Sequence, residues 1–411
     1  MNSKSITIDR CQISKKKDLK KIISLGFLPT VNDYQSIKLK KEEKTFFPTE
    51  LMFSKSSNLA QLNTIVNKKI LFPKEYPYTS STTKILKDNF IELYNESSKL
   101  LDLKKEDLII DIGSNDGNLL SNFKNKHRVL GVTPELIGKL AIKKGIDTII
   151  KYFDNSTTNF ILNKYGKAKL ITATNVFAHI DDVKNFIKNI NRILDKNGVF
   201  VSESHYFVEL IKTLQYDTIY HEHMRYYSLT SLNYLFKKYN LKIFYAKNVP
   251  THGGSIRVYV SRNKKKKIDS SVQKILKYEK KFFKIKTFDN FRTRVVNSKI
   301  NLYTLLKRLK EKKKLIYGVG APSRATTLIN YVGLNEDIIS CILEIKGSYK
   351  IGKYMPGTNI PIVNENIIKK NKPNYLLILS WHISDFLIKN FKKKGYKGKF
   401  IIPLPRPHIV S

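Results

Sequence analysis

The chain has 411 residues, 41% of them hydrophobic, which suffices for two or three globular domains with sizeable cores. No apolar run approaches the ~20 residues that a membrane-spanning helix needs, and two cysteines, Cys11 and Cys341, cannot build a disulfide framework. The formal net charge of +41, from 75 Lys and Arg against 34 Asp and Glu, is spread through both halves alongside abundant Ile and Asn. It reads as compositional bias that also suits small anionic substrates, rather than as a nucleic-acid-binding arm.

The opening MNSKSITIDR lacks the apolar segment of a signal peptide, and so few cysteines make a reducing, cytoplasmic setting the expectation. Residues 11–76 mix short patterns with turns at FLPTVND and FFPTE and predict a small irregular module. Residues 80–101 carry a helical period with Ser or Thr available as N-cap. DLIIDIGSNDGNLLSNF follows: an apolar strand ending in Asp111, a glycine turn, then a helical pattern. RVLGVTPE predicts a strand and turn, 137–144 a helix, KLITATNVFAHI a strand running into a loop, 183–194 a helix, and GVFVSES another strand. LKIFYAKNVPTHGGSIRVYVS reads as a β-hairpin. Strands alternating with helices predict an open, mostly parallel α/β sheet. RNKKKKIDSS is a solvated, charged joint, and Lys-rich helices run on to about residue 314. KLIYGVGAPSRATTLINYVG then repeats the strand–glycine turn–helix theme, and YLLILSWHI and KFIIPLP add strands, so a second α/β domain is expected.

Two stretches carry chemistry. In DIGSNDG, Gly113 and Gly117 let the backbone turn tightly beside a ligand. The spacing departs from G-x-G-x-x-G, which disfavours a dinucleotide pyrophosphate. Asp111 can hold an ammonium group, and backbone N–H groups at the following helix start can hold a carboxylate. S-adenosylmethionine carries both groups; the bland alternative is an ordinary βα turn. In YHEHMRYYSL, residues 220–229, two histidines, a glutamate and three tyrosines crowd ten positions, and such side chains are costly to bury unless hydrogen-bonded. The stretch fits an active site, a satisfied polar network, or a metal site needing a third ligand; His221 and His223, at i and i+2, are expected on one face of a strand.

Taken together, YPYTSSTT, DIGSNDGNLL, KKGIDTIIKYF, NVFAHIDD, DTIYHEHMRYYSL, HGGSIRVYV, YGVGAPSRATTLINYVG, GKYMPGTNIPI and PLPRPHI resemble, in order over about residues 76–409, the sugar C-methyltransferases of the class I, S-adenosylmethionine-dependent type. These methylate a carbon of nucleotide-linked 4-keto deoxysugars. The resemblance implies an N-terminal zinc-binding-type module (1–75), a methyltransferase domain with a Rossmann-like sheet (76–262) and a C-terminal Rossmann-like α/β domain (263–411). It implies that His223 is the base, with Tyr220, Glu222, His179 and Tyr78 around it. Cofactor contacts would come from Asp111, Gly113, Asn115, Gly117, Thr133 and Asn175, and substrate contacts from His252 and Arg324. Arg324 follows the turn of Gly318 and Gly320 into a helix, a place suited to the substrate's diphosphate or to a purely structural turn.

The chemistry is coherent. A 4-keto group acidifies the neighbouring C–H, and a neutral imidazole with pKa near 6.5 can remove that proton at pH 7. Tyr or His donors can hold the enolate oxygen. The sulfonium supplies an electrophilic methyl, so no metal is required. Two departures stand out. The family's two C-x-x-C zinc pairs are reduced to Cys11 with Ser14, Ser54 and Ser57, so zinc is expected to be lost. Thr133 stands where the family places a ribose-binding acid, with Glu135 two residues on. The rival readings are an O- or N-methyltransferase on a related sugar, and a basic nucleic-acid-binding protein that kept the fold. A nucleotide-sugar substrate is the expected partner, with no specific nucleic acid and no membrane.

Overall fold

The N-terminal segment folds as β structure rather than as the irregular module expected. In the computed structural model, which describes residues 3–39, 43–71 and 84–411, LKKIISLGFLP and FFPTELMFS form the antiparallel strands Leu19–Pro29 and Phe46–Ser54. Register shifts at Lys21/Ile23 and Ser24/Phe27 break the apolar–polar alternation, which hides the strand in the sequence. Leu59–Leu62 adds a third strand. The fourth is the two-residue strand Arg225–Tyr226, supplied from inside YHEHMRYYSL. YPYTSSTT, with Tyr78, lies outside the described residues, as does the expected cap of the helix Lys84–Leu100.

The central sheet has seven strands in the spatial order Lys242–Val249, Ser255–Ser261, Leu194–His205, Ala168–Thr174, Leu108–Ile112, Arg128–Val132 and Thr148–Ile149. Its neighbours pair in parallel except Ser255–Ser261, which is antiparallel to both strands beside it. Chain order reverses between Leu108–Ile112 and Ala168–Thr174. That switch point opens a crevice beyond the strands' carboxyl ends, the place where such sheets bind ligands. LIIDI is buried throughout, as expected of a parallel strand covered on both faces. The helix expected after DIGSNDG shrinks to the 3₁₀ turn Leu120–Asn122. Ser121 Oγ donates to the Gly117 carbonyl at 2.9 Å and Asn122 Nδ2 to the Asn118 and Leu119 carbonyls at 3.2 and 3.1 Å. These side chains compete with the helical backbone ladder.

The second α/β sheet runs Ile362–Asn364, Ile342–Glu344, Ile316–Val319, Tyr375–Ile378, Lys399–Ile402 and His408–Val410, with only the last strand antiparallel. The helices Ser270–Phe282 and Ile285–Glu311 join the two sheets. Leu302 and Leu306 of the longer helix enter one apolar core with Ile22 and Leu51 of the N-terminal sheet, Tyr216 and Ile219 of the central domain, and Leu328 and Ile342 of the C-terminal one. Three modules therefore close on one another around the loop 213–226. No helix among the described residues is long and apolar enough to cross a membrane.

Candidate active site

The cofactor end is built at the switch point. Gly113 sits at φ +75°, and a Cβ there would fall 2.2 Å from Val176 Cγ2, so only glycine leaves the cradle open. Gly117, at φ +76°, packs its bare Cα against Ala141 and Ile146. Below the turn the Asp111 carboxyl is buried, accepts from Thr172 Oγ1 at 2.6 Å, and is pushed up to about 7 by burial. The Ser114 hydroxyl is buried and has no hydrogen-bond partner among the described residues. Asn115, at φ +52°, and Asn175, at φ +57°, are held in the left-handed region at the ends of neighbouring strands; the Asn175 N–H donates to the Glu203 carbonyl at 2.7 Å. Thr133 is fully buried, and its hydroxyl donates to the Glu135 carboxylate. The substituted position therefore places an acid at the end of Arg128–Val132 after all, one step removed. A buried carboxyl poised to ionise beside a cation, an orphaned hydroxyl and a second carboxylate fit the ammonium and ribose of S-adenosylmethionine. With the helix reduced to a 3₁₀ turn, the helix-start site expected for its carboxylate is not formed.

The YHEH stretch corrects one expectation. YHEH is a turn, closed by the His223 N–H donating to the Tyr220 carbonyl at 2.9 Å, so the two histidines do not share a strand face. The i, i+2 rule holds only for extended backbone. His221 turns to the N-terminal sheet, where its Nε2 lies 3.1 Å from the Pro48 carbonyl oxygen and 3.1 Å from Thr49 Oγ1. His223 turns to the central domain. Its Nδ1 lies 3.0 Å from the Thr218 carbonyl and its Nε2 3.1 Å from the Tyr220 hydroxyl. A carbonyl can only accept, so Nδ1 carries the proton and Nε2 the lone pair. Burial, and then the nearby His179 and His205, hold His223 well below its usual pKa, so the ring is neutral. Burial lifts the Tyr220 phenol well above its ordinary range, so it stays a donor.

Around this pair, His179 Nδ1 donates to the Glu222 carbonyl at 2.7 Å, with its ring centre 5.1 Å from that of His223. Asn32 of the N-terminal module donates to Glu222 Oε1 at 2.6 Å. The Arg225 guanidinium caps the Ile180 and Asp181 carbonyls at 2.5 and 3.1 Å, which ties the YHEH turn to the loop bearing His179.

The substrate-side residues behave unequally. His252 is exposed and left-handed, φ +55°, between Thr251, which donates to Glu203 Oε1 at 3.0 Å, and Gly253, whose carbonyl accepts from Gln215 Nε2 at 2.6 Å. Arg324 departs from the anion-binding expectation. Its Nε and Nη2 are each 2.7 Å from an oxygen of the buried Asp217, which also accepts from Trp381 Nε1 at 2.7 Å. A buried carboxylate needs its counter-charge, and Asp217 takes the guanidinium fork. Asn32, Gln215, Asp217 and Trp381 went unread in the sequence. Asp217 lies in the DTIYHEH stretch and Trp381 is the chain's single tryptophan, but only their contacts reveal a role.

At the zinc-type position, the Ser14 N–H donates to Cys11 Sγ at 3.4 Å and Cys11 Sγ lies 3.2 Å from Ser57 Oγ. Ser57 donates to Ser54 at 3.0 Å, Ser54 to Asp18 at 2.8 Å, and Ser56 to Ser14 at 3.2 Å. One thiol with hydroxyls that satisfy each other is a poor donor set for Zn²⁺, and the residues do not fit the metal.

Compared with known proteins, the chain matches three family models in order. They describe a zinc binding domain over residues 11–72, a methyltransferase domain over 86–246 and a C-methyltransferase C-terminal domain over 250–405. The chain is 28% identical to the C-methyltransferase NovU of Streptomyces niveus over 98% of its own length and 97% of that protein. Among solved structures, it is similar to an S-adenosylmethionine-dependent methyltransferase of Clostridium acetobutylicum, at 16% identity and TM-score 0.34 over 44% of this chain and 93% of that one. It is also similar to the magnesium protoporphyrin IX methyltransferase of Synechocystis with bound SAH, at 11% identity and TM-score 0.35 over 43% and 83%. These structural likenesses are too slight to add to what the strand order shows.

Proposed function

We propose that the chain, which is similar to a C-methyltransferase over nearly its whole length, is an S-adenosylmethionine-dependent enzyme that methylates the carbon beside the ketone of a nucleotide-linked keto-deoxysugar, with His223 as general base. The division at about residues 75 and 262 is supported by sheet membership, since the central sheet ends with Ser255–Ser261. Sugar nucleotides are intracellular metabolites, so we place the enzyme in the cytoplasm.

When bound, the cofactor supplies an electrophilic methyl group. Asp111 would balance its ammonium, Glu135, held by Thr133, would take its ribose hydroxyls, and Gly113 would leave room for it beside the backbone. His223 Nε2 takes the proton from the carbon next to the ketone, while the Thr218 carbonyl steadies the imidazolium that forms. The Tyr220 hydroxyl, displaced from Nε2 by the substrate, donates to the enolate oxygen. Glu222 anchors the site at both ends, its carboxylate accepting from Asn32 and its carbonyl from His179.

The observation that supports this reading best is the neutral His223 ring held between an accepting carbonyl and a donating phenol. The test is deuterium exchange at the carbon beside the ketone, run in D₂O with a non-methylating cofactor analogue. Wild type washes that hydrogen out and His223→Ala does not. Turnover of His223→Ala falls on the order of 10²–10⁴-fold, with cofactor affinity unchanged. Near wild-type methylation by His223→Ala would overturn the assignment.

A further inference from the structure

We propose that Arg324 is a positioning residue: from the second α/β domain it clamps the turn whose carbonyl sets the tautomer of His223. This rests on the reading of His223 as the base. The helix Ser323–Val332 presents Arg324, Thr327 and Tyr331, at i, i+3 and i+7, on one face. All three meet the segment 216–219. Arg324 holds both oxygens of Asp217 at 2.7 Å, the Thr327 hydroxyl reaches the Ile219 carbonyl at 3.5 Å, and the Tyr331 ring meets Tyr216 edge-on at 5.3 Å. Trp381 completes the clamp. Its N–H donates to Asp217 and its ring centre lies 4.8 Å from the Arg324 guanidinium carbon.

The residue after Asp217 is Thr218, whose carbonyl takes the His223 Nδ1 proton at 3.0 Å and the Tyr226 hydroxyl at 3.2 Å. The clamped carboxylate and the carbonyl that selects the tautomer thus belong to adjacent residues of one 3₁₀ turn, Tyr216–Thr218. A second arm leaves the same guanidinium. Arg324 Nη2 lies 3.3 Å from Gln215 Oε1, which also accepts from His205 Nε2 at 3.2 Å, while Gln215 Nε2 donates to the Gly253 carbonyl. A Cβ on Gly253 would sit 2.4 Å from Gln215 Oε1. GAPSR, DTIYHEH and HGGS, far apart in the chain, meet at one cation. If the turn loosens, the ring can protonate on either nitrogen, and the Nε2 lone pair is no longer guaranteed. Lysine cannot reproduce the two-pronged contact.

The test uses full-length Arg324→Lys and Asp217→Asn with ring-¹⁵N histidine. Wild type should show His223 as a single Nδ1–H tautomer, its signal assigned by its loss in His223→Ala. The variants should show mixed tautomers and a kcat lower by about 10²-fold, with cofactor Kd and substrate KM within about twofold of wild type. Trp381→Phe, which removes one donor without unpairing the charge, should give the same signature more weakly and serves if Asp217→Asn does not fold. A single tautomer with wild-type kcat in the variants overturns the proposal. So does a loss confined to KM, which would make Arg324 a ligand of the substrate's diphosphate. The tautomer signal does not depend on what His223 does, so a His223→Ala enzyme that keeps its turnover brings down the base assignment alone.

Discussion

If His223 is the base we propose, the proton on its Nδ1 leaves Nε2 for the substrate, and the depressed pKa of the ring sets the usable pH range. Because the folded pKa lies well below 6.5, the imidazole stays a base as the medium acidifies. With the cofactor saturating at every pH, the acid limb of the kcat/KM profile for the sugar substrate should therefore fall below pH 6.5, read from initial rates; a limb at or above that value would contradict the buried, neutral ring. Asp111 works in the opposite sense. Burial pushes its carboxyl up to about 7, so its charge is lost as pH drops through that region. Cofactor affinity measured calorimetrically should weaken from pH 8 to 6 in wild type, and should be weaker and nearly flat over that range in Asp111→Asn. Single residues were unevenly legible. His223 and Tyr220 stand out as candidates because a cluster of polar side chains is costly to bury, and Asp111 because it ends a buried strand before a glycine turn. Asp217 and Asn32 do not, because their meaning lies in partners 107 and 190 residues away.

At the scale of elements, the strands and helices of both α/β sheets follow from apolar runs and glycine turns. The failures have local causes. The Ser121 and Asn122 side chains donate to carbonyls three and four residues earlier and compete with a helix that the apolar period promised. YHEH turns instead of extending, and the N-terminal strands hide behind register shifts. The two knuckles of the N-terminal module face each other through Cys11, Ser14, Ser54 and Ser57, and their hydrogen bonds take over the cross-linking role of a metal. Elemental analysis should find no stoichiometric zinc in the purified protein, and EDTA should leave both Tm and turnover unchanged. A chelator-induced drop in Tm would show that other ligands hold a metal.

At the scale of the whole molecule, buried neutral histidines dominate the response to acid. His179, His205, His221 and His223 all have folded pKa values below 6.5, with His205 pushed down to about 3 by burial and the Arg324 charge. The unfolded chain binds those protons below pH 6.5 and the native one does not, so their stabilising contribution is complete above 6.5 and is lost as pH falls towards the folded values. Asp111 and Glu279, both raised by burial above their unfolded values, oppose this, but they are two carboxyls against those four histidines. Denaturant midpoints should fall steadily from pH 7 to 5; a flat profile would mean that the histidines are charged in the native state. The sequence shows two α/β domains and a separate N-terminal piece, yet not that they share one core, since the joining contacts are side-chain packing with no motif. That sharing has a consequence for biosynthesis. The N-terminal sheet takes its last strand from Arg225–Tyr226. A nascent chain that has not yet emerged past residue 226 therefore carries a three-stranded sheet with an unpaired edge at Leu59–Leu62. The first module made on the ribosome is completed only when the stretch that follows the YHEH turn arrives, so a truncated product keeps an open, sticky edge.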